Sequence, residues 1–197
     1  MINHDFVSLT CADGSLLDAY VAFPEPGGDA PGLILLQEAF GVNPHIRDVA
    51  DRLCREGFAV IAPDLFHRTA RRLEIPYTDF ASAAPHYQAI TLQGLEWDLI
   101  ACHDWLAAQP GVIPDRIGSI GFCLGGRVAY LANTILPLCA GVSFYGGGLD
   151  QLADRAPSQH GAHLFFWGGL DKHIPAEKVN TILSAVREAG KEYSSVV

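Results

Sequence analysis

Residues 119–127, SIGFCLGGR, hold the chemistry that the rest of the chain has to position. Apolar residues lead up to Gly121, glycines flank a Phe-Cys-Leu turn, and Arg127 to Leu131 read as a helix. A buried strand, a sharp turn and a helix are the parts of a nucleophile elbow, G-x-[Ser/Cys]-x-G, here carrying Cys123. Glycines at 121 and 125 remove β-carbons where such a turn packs tightly, so a strained thiol can stand above the sheet. The positive end of the helix favours thiolate and a developing oxyanion. On its own the run also fits a buried cysteine beside flexible glycines. Asp171 follows a strand and a Gly-Gly turn. Two roles are open to it: the acid that orients a histidine, or the cap of a helix beginning near Pro175.

These residues need a scaffold. Residues 6–10 and 16–23 read as strands joined by an Asp13-Gly14 hairpin, and residues 24–31 as a Pro/Gly-rich loop. The continuous apolar run GLILL at 32–36 fits a strand covered on both faces of a parallel sheet. Asn43 and Pro44 fit the cap and first turn of a helix that stops at Gly57. Further strands are expected at 58–62, 116–121, 138–145, 162–167 and from Tyr193. Helices are expected around Leu95–Leu106, Arg127–Leu131 and Val179–Val186. Residues 68–93 are the least regular part. Alternating strands and helices after a hairpin imply an α/β fold, a mostly parallel, twisted sheet with helices on both faces. Ligands of such sheets bind beyond the carboxyl ends of the strands. Glu38, Asp64, Cys123, Tyr145 and Asp171 all fall just past strand ends.

A chain of 197 residues with 49% hydrophobic and 18% charged residues suits a single globular domain, 1–197. Its net charge of −9 speaks against a nucleic-acid partner, since Arg68, Arg71 and Arg72 form the only basic cluster. No run has the length of a membrane span and the amino-terminal residues lack signal-peptide character, so a cytoplasmic protein is expected. Cys11, Cys54, Cys102, Cys123 and Cys139 show no C-x-x-C pair, which suggests neither a disulfide framework nor a metal site. Cys54, Cys102 and Cys139 read as small core residues.

Three segments in order, QEAFGVN (37–43), GFCLGG (121–126) and GGLDKHIP (168–175), together resemble the dienelactone hydrolase family along the whole chain. The resemblance implies an α/β-hydrolase fold, a Cys-His-Asp triad, no cofactor and a small ester or lactone substrate. It makes Cys123 the nucleophile, Asp171 the triad acid, and Glu38 a carboxylate that contacts the resting thiol and helps activate it. The oxyanion would be held by the N–H groups of Leu124 and Ala39. A carboxylate beside a thiol raises its pKa, which suits a nucleophile kept protonated until substrate arrives. Phe40, His67, Tyr77, His86, Tyr87 and Tyr145 are the expected substrate contacts, and a monomer or homodimer is expected.

The chain departs from the family pattern at the triad histidine. His4, His45, His67, His86, His103, His160, His163 and His173 are the histidines present, and none falls in a loop after the strand from Tyr193. The expectation is therefore a chain truncated at its carboxyl end, with the histidine and a last helix beyond Val197. Residues 73–93 also lack an arginine to hold a substrate carboxylate, which points to a less charged ester or lactone. A protein that keeps the fold and uses Cys123 as a reactive or redox-responsive thiol is the second reading.

Overall fold

The computed structural model describes residues 2–25 and 28–197; residues 26 and 27 of the predicted 24–31 loop lie outside the described residues. The elements run β1 (Ile2–Thr10), β2 (Leu16–Pro24), β3 (Ala30–Leu36), α1 (Pro44–Arg55), β4 (Ala59–Pro63), α2 (Phe80–Gln88), α3 (Leu92–Ala107), β5 (Val112–Phe122), α4 (Leu124–Ile135), β6 (Ala140–Phe144), β7 (Ala162–Phe166), α5 (Ala176–Glu188) and β8 (Tyr193–Val196). A 3-10 segment, Leu149–Ser158, links β6 to β7. The strands form one sheet in the order β1-β2-β4-β3-β5-β6-β7-β8. β1 and β2 are antiparallel, β2 runs antiparallel to β4, and the remaining pairs are parallel.

Side-chain alternation along β3 divides the interior. Ile34 and Leu36 face the larger core, built with α3, α4 and α5, while Leu35 faces a smaller one under α1. α1 starts as expected: Asn43 Oδ1 accepts from the Ile46 N–H at 3.1 Å with Pro44 at the first position, a cap worth about 1 kcal/mol. Gly57, at φ 98°, ends that segment. On the α1 side, Phe122, Phe144 and Phe166 stand in register on β5, β6 and β7 and stack as a ladder, with centroids 5.0 and 4.5 Å apart.

The strands fall where expected, with two differences. β5 begins at Val112, before a register shift that takes the pairing from Pro31–Ile113 to Gly32–Ile117. The irregular 68–93 segment contains α2, capped by Asp79 through the Ser82 N–H. Its Pro85 and its weak amphipathic pattern hide it from periodicity, because proline removes a helix hydrogen bond.

Candidate active site

β5 delivers Cys123 to the carboxyl rim of the sheet, and α4 begins at the next residue. Cys123 has φ 55° and ψ −114°, a conformation that costs a non-glycine residue energy and is held here by its surroundings. The glycines are required by close approach. A β-carbon on Gly121 would collide with the Gly125 carbonyl, and one on Gly125 with the carbonyls of Leu36 and Gln37. A β-carbon on Gly126 would meet the Phe144 carbonyl oxygen at 2.5 Å. The end of β3 is thereby pressed against the start of α4, which brings the 38–40 turn beside the thiol. The Leu124 N–H is the first of α4 and has no acceptor within the helix. Ala39, buried at that turn, is the expected partner for an oxyanion.

The thiol of Cys123 is held above its ordinary pKa, first by burial and then by the charges of Glu38 and Asp171; the Leu124 N–H and Arg127 pull the other way. Both carboxylates thus reach the sulfur with their fields, in the direction the sequence predicts. The hydrogen bonds of Glu38 go elsewhere. The Tyr77 hydroxyl donates to Glu38 Oε2 at 2.6 Å and the Tyr145 hydroxyl to Oε1 at 3.4 Å. Among the described residues no hydrogen bond joins Glu38 to the thiol, so the expected direct contact is replaced by a tyrosine clamp. Tyr145 itself sits at φ 39° and its hydroxyl is pushed up to about 12 by burial, Glu38 and Cys123. Asp171 does not cap α5: Pro175 holds that position with no side-chain bond. Asp171 Oδ1 instead accepts from the His173 N–H at 2.7 Å.

Of the expected substrate contacts, Phe40, Tyr77 and Tyr145 gather around Glu38. The Phe40 and Tyr77 rings are 4.7 Å apart, and the Phe80 ring lies 6.3 Å from Phe40. His86 is hydrogen-bonded to Thr69 Oγ1 at 2.8 Å and Tyr87 lies under the Arg127 guanidinium at 5.9 Å. His67 is a correction. Its ring is fully buried, with Nδ1 3.0 Å from the Leu16 carbonyl oxygen and Nε2 3.1 Å from Asp98 Oδ1. Asp64 is likewise interior: its carboxylate accepts from the Phe66 and Arg72 N–H groups, and burial pushes its pKa up. Of the basic cluster, Arg68 is ion-paired to Asp13 and Asp98, and Arg71 and Arg72 both to Asp18. Cys139 is exposed at the start of β6, not in the core.

The histidines confirm no relay. His163 is buried on β7, donating through Nε2 to Ser143 Oγ while Asn133 donates to Nδ1. His4 pairs with Asp51 and His103 with Asp104; His173 is exposed. Among the described residues no histidine ring is hydrogen-bonded to Asp171 or Cys123. Among the described residues, cysteine, histidine and aspartate meet in the interior: ligand atoms of Cys11, His67 and Asp98 lie within 4.8 Å of one another. There the Cys11 thiol donates to Asp98 Oδ1 at 3.3 Å, and Arg68 clamps both carboxylate oxygens at 2.8 and 2.9 Å. The acid stands between thiol and imidazole, and a guanidinium already covers it. This set is suited to a closed hydrogen-bond network, and poorly to a relay or a cation. Sequence reasoning missed it because the thiol and its acid are 87 residues apart.

Strand order, elbow and rim define an α/β-hydrolase fold. The dienelactone hydrolase family model matches residues 17–197, and the chain belongs to that family. It is 38% identical over 177 residues to a Synechocystis protein provisionally named a carboxymethylenebutenolidase, covering 85% of this chain and 72% of that one. It is 31% identical over 173 residues to the carboxymethylenebutenolidase of Pseudomonas putida, covering 86% and 72%. A Klebsiella pneumoniae crystal structure, provisionally named a dienelactone hydrolase, superposes with TM-score 0.86 at 31% identity, over 100% of this chain and 85% of that one. No helix among the described residues is long and apolar enough to cross a membrane.

Proposed function

We propose that this protein hydrolyses small esters or lactones with Cys123 as nucleophile. The observation that supports the reading is the strained Cys123 backbone at the sheet rim, fixed by glycine contacts at the start of α4. As substrate enters, the thiol proton passes to the Glu38 carboxylate, whose charge acts on the sulfur, and sulfur adds to the carbonyl carbon. The oxyanion is held by the N–H groups of Leu124 and Ala39. Collapse expels the alkoxide, which takes up a proton, and leaves a thioester on Cys123. Water then adds to the thioester carbonyl, the sulfur leaves, and Cys123 takes back a proton as the carboxylic acid is released. The aromatic group of Phe40, Tyr77, Phe80 and Tyr145 supports a neutral, partly apolar substrate, because it offers rings and hydroxyls and no free cation.

Incubation with p-nitrophenyl acetate, followed by intact-mass and peptide analysis, tests this. The expected outcome is nitrophenol release with an acetyl group on Cys123, both lost in Cys123→Ser. Release that survives that substitution overturns the reading. The lack of a histidine ring on Asp171 among the described residues favours one alternative, a thiol that reacts without turnover. It predicts a stoichiometric adduct that persists instead of clearing.

A further inference from the structure

Arg127 stands apart from most of the arginines in this acidic chain. Arg47, Arg52, Arg68, Arg71, Arg72 and Arg155 are each ion-paired to a carboxylate. The Arg127 guanidinium, on the first turn of α4 and half-buried, has no hydrogen bond or ion pair among the described residues. Its one recorded neighbour of that kind is the Tyr87 ring. It opens onto a cavity of about 250 Å³ between α3, α4 and the 149–158 segment. Leu95, Val128, Leu131 and Leu152 of its lining are nearly inaccessible to solvent, Ile90 and Leu92 form its accessible apolar side, and Gln151 supplies an amide. Gly148 leaves room for the head group, since a β-carbon there would come within 3.2 Å of Arg127 Nη1. A cation held partly out of water without a counter-charge is costly, and a guanidinium presents its donors in a fork that matches a carboxylate. One charged head above an apolar void describes an amphiphile with a single anionic group. The volume lies just below that of sites for drug-sized ligands, about 300–1,000 Å³, which limits the tail to a short one.

We propose that this cavity binds a short-chain carboxylate, its head on Arg127 and Gln151 and its hydrocarbon against Ile90 and Leu92. The site does not depend on Cys123 being a nucleophile. The carboxylate has two possible sources: the acid portion of an ester substrate, or a free acid held separately from the reaction.

Isothermal titration of the intact chain with octanoate, and with octanamide as its neutral counterpart, tests the site. Octanoate is expected to bind saturably and more tightly than octanamide. Arg127→Gln should weaken octanoate at least about tenfold, the scale of one charge-assisted contact, and leave octanamide unchanged; Arg127→Lys should retain part of the preference. Leu152→Trp, which fills the void, should abolish binding of both ligands while Arg127 is intact. Circular dichroism of each variant establishes that it is folded. Absence of saturable binding to the unmodified chain overturns the proposal, as does octanoate affinity indifferent to Arg127→Gln. If octanoate competes with p-nitrophenyl acetate, the carboxylate is the acid end of the substrate; if it binds without competing, it is a separate ligand. Both results uphold the site, and neither depends on whether Cys123 turns over.

Discussion

Cys11 and Cys123 are both thiols beside carboxylates, and the two surroundings give them opposite uses. At Cys11 the thiol donates a hydrogen bond to Asp98, which Arg68 and His67 also engage, and burial pushes its pKa up to about 12. Every polar group in that cluster has a partner, so nothing is left to react. At Cys123 the thiol is also raised, but its backbone is strained, a helix starts at the next residue, and the neighbouring carboxylate is tied to two tyrosines. Residue types alone would favour Cys11, where thiol, imidazole and carboxylate meet. Reactivity instead follows from which groups remain unsatisfied and which way they face.

The largest test of that contrast is exchange of the two thiols. Cys123→Ser is expected to cut ester hydrolysis by roughly a thousandfold or more, as loss of a nucleophile does. Cys11→Ser, which keeps a donor for Asp98, should stay within about twofold. Equal losses would erase the distinction. Next comes Asp98→Asn, which leaves the Arg68 charge facing a neutral amide. Breaking a buried pair in this way costs about 3 kcal/mol, and urea unfolding should show it with activity per folded molecule retained.

Alkaline pH separates the two thiols further. The folded pKa of Cys11 lies above its ordinary value of 9.0. Its contribution to stability is therefore complete below about pH 9, where the unfolded thiol is still protonated. It is lost as pH rises through about 12, since the unfolded chain releases the proton first. Unfolding free energies measured from pH 8 to 11 should fall less steeply in Cys11→Ser than in the unmodified chain. The smallest effect concerns Glu38. Its charge raises the Cys123 thiol, so Glu38→Gln should speed iodoacetamide alkylation of Cys123 at pH 8 and leave Cys11 unreacted. A slower reaction would mean that Glu38 assists ionisation even without substrate.

Local patterns made much of this legible. The GLILL run of β3, the Asn43-Pro44 start of α1 and the glycines around Cys123 each encode their structure within a few neighbouring residues. Their physics is short-range: burial on two faces, a capped first turn, a close approach that only glycine permits. The misread parts depend on distant partners. Arg71 and Arg72 look solvated until β2 brings Asp18 to them from 53 and 54 residues away. His67 looks like a rim residue until α3 brings Asp98. The tyrosine clamp on Glu38 joins residues 39 and 107 positions apart, and no spacing rule reaches that far. α2 was hidden for another reason, a proline inside a short helix.

The elbow also bears on how such a protein can change over generations. Its shape is enforced at 121, 125 and 126, where any side chain would strike a neighbouring carbonyl, and not by the group borne at 123. Identity at the tip is therefore nearly decoupled from folding. A lineage could trade sulfur for oxygen at that position and keep its scaffold, whereas a single methyl on Gly125 would end it.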